Sequence, residues 1–104
     1  MQNQQPNQQG SQRKIQIKVS DDVLKGAYAN AMQVLHTKEE FILDFMNLSP
    51  HQSVGIINSR VIMSPGHFKR VILALQDNLK KYESGFGKIE EAEAPSNELG
   101  FKAN

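Results

Sequence analysis

Three histidines, His36, His51 and His67, are the side chains best suited to ligate a metal or to move a proton near neutral pH. No two of them have the i, i+4 helical spacing or the Cys/His pattern of a zinc site, and the chain has no cysteine. Thiolate metal sites, cysteine nucleophiles and disulfide scaffolds are excluded together. The histidines therefore read as surface or capping residues. Asp44, Asp77, Glu39 and Glu40 are the obvious acids, yet none stands beside a His or Ser in a local catalytic motif. Ser64 lacks the Gly-x-Ser-x-Gly elbow that would expose it as a nucleophile. No catalytic, metal or cofactor residue is assigned, and the expectation is a chain that works by binding rather than as an enzyme.

Two sets of residues could bind charged partners. Ser64, Gly66, His67 and Arg70 lie where a helix is expected to begin, and a helix N-terminus offers free N–H groups and a positive dipole end to an anion. The competing reading of Ser64-Pro65 is ordinary capping. Arg13, Lys14, Lys69, Arg70, Lys80 and Lys81 would carry an alternative function, nucleic-acid binding. Aromatic residues to stack bases are few, with five Phe, two Tyr and no Trp. Tyr28, Asn30, Asp44 and Arg60 are expected on neighbouring strands, as a polar cross-strand cluster or ion pair that satisfies structure or specifies an interface.

The elements that position these groups follow from hydrophobic period. Ile15, Ile17 and Val19 alternate with Gln16 and Lys18, which predicts a first strand. The apolar runs Ala27 to Leu35 and Glu40 to Leu48 flank a polar break at His36 to Glu39, which predicts a hairpin. After a Pro- and Gly-bounded loop, Ile56 to Met63 predicts a fourth strand. Phe68, Val71, Ile72, Leu75, Leu79 and Tyr82 then form one stripe, predicting a helix from Pro65 to about Glu83 that stops at Gly85. The fold class expected is α+β, a four-stranded antiparallel meander followed by one long C-terminal helix packed on one face. Parity sets Phe41, Phe45, Ile57 and Val61 inward and leaves Ile42, Met46, Ile56 and Ile62 on a second apolar face, with Met32 nearby.

Composition bounds the rest. The 104 residues, 38% of them apolar, suit one domain with one core. Residues 1–13 are expected to be a disordered Gln/Asn-rich arm, 14–89 the folded unit, and 90–104 a disordered acidic tail in which Leu99 and Phe101 form a sticky patch. From Arg13 to Lys88 there are 11 Lys or Arg against 7 Asp or Glu, a net of +4, and from Ile89 onward one Lys against four Glu, a net of -3. The arm lacks the cationic apolar character of a secretory signal and nothing approaches a membrane span, so a soluble, cytoplasmic protein with no membrane partner is expected. Met32, Ile42, Met46, Ile56 and Ile62 are the candidate partner-binding residues, for a homodimer or higher homo-oligomer or for a protein client.

The stretch from Ile15 to Ile89 carries Tyr-Ala-Asn-Ala-Met-Gln-Val at 28–34, Phe-Ile-Leu-Asp-Phe-Met-Asn-Leu at 41–48, Arg-Val-Ile-Met-Ser-Pro-Gly-His at 60–67 and Ala-Leu-Gln-Asp-Asn-Leu at 74–79. In these words it resembles a small prokaryotic family catalogued as domain of unknown function 3467. That resemblance brings no activity and no site residues. The expected order of elements is also similar to the export chaperone SecB, four antiparallel strands and then a long helix. This second likeness implies dimers or tetramers that hold unfolded segments against exposed apolar surface.

Overall fold

Thr37 closes the first hairpin with its side chain. In the computed structural model, which describes residues 13–92, Thr37 Oγ1 accepts from the N–H groups of Glu39 and Glu40, both at 3.1 Å, and Thr37 N–H donates to the Glu40 carbonyl at 2.9 Å. Such local hydroxyl bonds are why Thr favours turns. The strands it joins are β1, Ala31–His36, and β2, Phe41–Ser49. A single 3-10 turn at Pro50–Gln52 leads through Ser53, whose φ of 54° lies in the left-handed region, into β3, Val54–Met63. The sheet is antiparallel throughout, in the order β1-β2-β3.

The register sorts the side chains into two faces, because residues directly opposite each other share a face. One face has three rows: Leu35, Ile42 and Ile62; Gln33, Asp44 and Arg60; Ala31, Met46 and Ile57. The other carries His36, Phe41 and Met63, then Val34, Leu43 and Val61, then Met32, Phe45 and Ser59. A bulge at Phe45/Met46 leaves Asn58 without an opposite residue. The extra residue resets the parity of β3 beyond it. Ile57 thus lies opposite Met46 and Ile56 opposite Asn47. The faces expected for Ile56 and Ile57 are exchanged, whereas those of Val61 and Ile62 stand as read.

The first of the four expected strands, Ile15 to Val19, is not seen, and the sheet has three strands. Residues 13–20 carry no helix or strand, and Ile15 and Ile17 are 87% and 91% exposed. A period of two specifies which side chains share a face, but it does not supply a neighbouring strand to complete the ladder. A short helix follows, α1, Asp21–Leu24, capped by Ser20, whose Oγ accepts from Val23 N–H at 3.4 Å. The chain is then tied down ahead of β1. Asn58, freed by the bulge, donates from its side-chain amide to the Tyr28 carbonyl at 2.9 Å. Asn30 both donates to the Leu48 carbonyl, at 3.0 Å, and accepts from the Leu48 N–H, at 2.8 Å. Its amide thereby imitates one more residue of strand pairing.

The long helix α2, Pro65–Phe86, begins as the sequence predicts, with Ser64 as N-cap and Pro65 in the first turn. Ser64 Oγ accepts from His67 N–H at 3.2 Å and the Ser64 carbonyl from Phe68 N–H at 2.9 Å. The helix passes through Gly85 and ends at Gly87, whose φ of 100° favours glycine. Its 22 residues span about 33 Å at 1.5 Å per residue. Phe68 stacks on Phe41 with centroids 4.0 Å apart and planes 6° from parallel. Beyond Val71, which is half-buried, the apolar stripe is exposed, and no residue of α2 is buried. The helix is anchored to the sheet by one aromatic stack rather than laid across it. Of the expected arm, 1–13, residues 1–12, and of the expected tail, 90–104, residues 93–104 with Leu99 and Phe101, lie outside the described residues.

Candidate functional site

Asp44 is the one fully buried charged side chain among the described residues, with an exposure of 0%. The register brings Arg60 opposite it on β3 and Gln33 opposite it on β1. Arg60 forks onto the carboxylate, Nε donating to Oδ1 at 2.6 Å and Nη2 to Oδ2 at 2.8 Å, while Gln33 Nε2 donates to Oδ2 at 3.0 Å. A bidentate guanidinium is the geometry that best satisfies a carboxylate removed from water. The hydrogen bonds from Arg60 and then Gln33 hold the Asp44 carboxyl at about 2, below its usual 3.8, against the opposing effect of burial. The same hydrogen bond raises Arg60 above its ordinary value. The pairing of Asp44 with Arg60 was legible from sequence. Gln33 was missed, and Tyr28 and Asn30 make their own bonds elsewhere.

This arrangement predicts an acid response. Because the folded-state value is depressed, the bond contributes stability that is present above pH 3.8 and is lost as pH falls through about 2. Asp44→Asn is expected to flatten the pH dependence of thermal stability in that window. Equal slopes for the two proteins between pH 4 and pH 2, measured by circular dichroism, would remove the ion pair from the account.

The five candidate partner-binding residues do not form one patch. Ile42 and Ile62 lie directly opposite each other on the Asp44 face. Met46 shares that face but is buried, 1% exposed, while Leu43, the other buried apolar side chain among the described residues, lies on the opposite face. Met32 and Ile56 belong to the other face and are exposed. Exposed apolar side chains extend over the whole described chain: Leu35, Ile57 and Ile62 on one sheet face, Met32, Val34 and Val61 on the other, and Leu75, Leu79 and Phe86 along α2.

The charged candidates are placed as follows. At the start of α2, His67 and Arg70 meet, with Arg70 Nη2 and His67 Nδ1 3.0 Å apart, and Ser64 Oγ is engaged by the His67 N–H. Lys69, Arg70, Lys80 and Lys81 lie on α2, where Lys81 pairs with Asp77 at 3.2 Å. Arg13 and Lys14 lie in the unpaired segment that precedes α1. His36 contacts the Phe41 ring, with centroids 5.5 Å apart, and His51 is exposed in the 3-10 turn. Among the described residues no group of three His, Cys, Asp or Glu side chains is placed to hold a metal ion, and no helix is long and apolar enough to cross a membrane.

Comparison with known proteins adds one finding. A family model described as Protein of unknown function (DUF3467) matches residues 1–91. No curated protein and no solved structure matches the chain.

Proposed function

The chain belongs to the DUF3467 family, and we propose that it is a non-enzymatic assembly and protein-binding module whose uncovered apolar surface is met by other protein, first of all by further copies of itself. One observation carries this reading. Among the described residues two apolar side chains, Leu43 and Met46, are buried, whereas 21 large apolar side chains stand exposed. Exposed apolar side chains that follow one another on one helix, as Ile72, Leu75, Leu79, Tyr82 and Phe86 do along α2, mark an interaction site. Hydrophobic burial is the dominant favourable term in folding, and two buried side chains supply little of it. Partner surface would supply the remainder.

The chaperone-like form of the proposal, in which the open sheet faces hold an unfolded segment, draws on the same side chains. It also draws on the general order of sheet then long helix that SecB has, although three strands stand here in place of four. Light scattering tests the proposal. The expected mass is at least twice the 11.7 kDa of one chain. A one-chain mass at every concentration would overturn assembly.

A further inference from the structure

Phe68, Ile72, Leu75, Leu79, Tyr82 and Phe86 follow one another at separations of four, three, four, three and four residues. That alternation is the heptad spacing of a helix seam, and all six positions are apolar. The chain's own sheet covers only its beginning, where Phe68 meets Phe41. Leu75 is 66% exposed and Phe86, at the far end, 80%. The seam is continuous over the full length of α2, and among the described residues no helix is packed along it.

We infer that α2 pairs antiparallel with α2 of a second copy of this chain. The inference rests on the assembly reading above and names the surface that performs it. An antiparallel pair with its twofold axis at residue 77 sets Phe68 against the partner subunit's Phe86, Ile72 against the partner's Tyr82, and Leu75 against the partner's Leu79. All six positions are matched with none left over. The partner's Phe86 would then extend the stack that Phe41 and Phe68 already make.

Charge selects the direction. Lys69 and Glu83 each immediately follow a seam residue, Phe68 and Tyr82, and so flank the same side of the seam. Antiparallel pairing brings each Lys69 within a turn of the partner's Glu83, twice by symmetry. Parallel pairing would instead set each charge level with its own copy and align the two helix dipoles. Glu83 holds the Ile89 N–H through Oε2 at 2.9 Å, which leaves Oε1 for the lysine. Antiparallel helices also carry the two sheets to opposite ends of the pair, roughly 33 Å apart, where they do not compete for space.

The test uses the absence of cysteine. Leu75→Cys and Leu79→Cys, made in full-length chains carrying tags of different mass, are unfolded together, refolded together and oxidised. Helix content is checked first by circular dichroism. A disulfide forms only where Cα atoms approach within about 7 Å. The expected result is a mixed disulfide between the two variants and none within either variant alone. In the antiparallel register Leu75 and the partner's Leu75 are offset by about 6 Å along an axis separation of about 8–10 Å. Self-linking of Leu75→Cys would show a parallel seam and overturn the inference. A dimeric mass with no disulfide of either kind would place the interface elsewhere, leaving assembly intact. A one-chain mass for the unmodified protein would overturn both.

Discussion

Met46→Ala is expected to destabilise the protein by about 2–5 kcal/mol, the range for truncating a large buried apolar side chain to alanine. Met46 is 1% exposed and is the one buried apolar side chain on its sheet face among the described residues, Leu43 lying on the other. In a larger domain such a cavity would be one loss among many buried contacts. Here the row that contains Met46, with Ala31 and Ile57 on either side, adjoins the row that holds the buried Asp44. Opening that site also admits water beside the carboxylate. Met32→Ala is the control, since Met32 lies on the other face and is half exposed, and a change within about 0.5 kcal/mol is expected there. Denaturant titration at fixed protein concentration reads both. A loss below about 1 kcal/mol for Met46→Ala would show that the sheet face carrying Asp44 is not the core.

How far the sequence revealed this arrangement depended on whether each signal was local. Ser64, Pro65 and the stripe from Phe68 specify the start of α2 within a few residues of themselves, so that boundary was readable. Thr37 and the polar break around it likewise announced the hairpin. The end of α2 was not readable, because Gly85 and Gly87 are chemically alike and only the latter takes the positive φ that ends the helix. The bulge at Asn58 depends on how β2 and β3 pair over distance. Nothing in the alternation of Ile56 and Ile57 signals that the two exchange faces. Gln33 carries a signal of its own: within Met32 to Leu35 it is the polar residue among apolar ones, and its register opposes Asp44. Ile15, Ile17 and Val19 show the opposite limit, a clear strand pattern for which the described residues provide no neighbouring strand.

The midpoint of thermal unfolding is expected to rise with protein concentration, because an assembly that melts to separate chains gains stability by mass action. For a dimer each tenfold increase in concentration shifts the balance by about 1.4 kcal/mol per dimer, so three decades contribute roughly 4 kcal/mol. For a monomeric two-state domain the same series would give no shift. The difference follows from where apolar area is buried. Leu43 and Met46 are buried within one chain, while apolar side chains along α2 from Ile72 to Phe86 and on both sheet faces are exposed. Placing a charge in the helix seam, as in Leu79→Asp, should therefore abolish the concentration dependence and lower the midpoint together. Leu73→Asp is the matched control, since Leu73 is 62% exposed on α2 but lies off the seam. If both variants kept the concentration dependence, the sheet faces rather than α2 would be the surfaces through which copies meet.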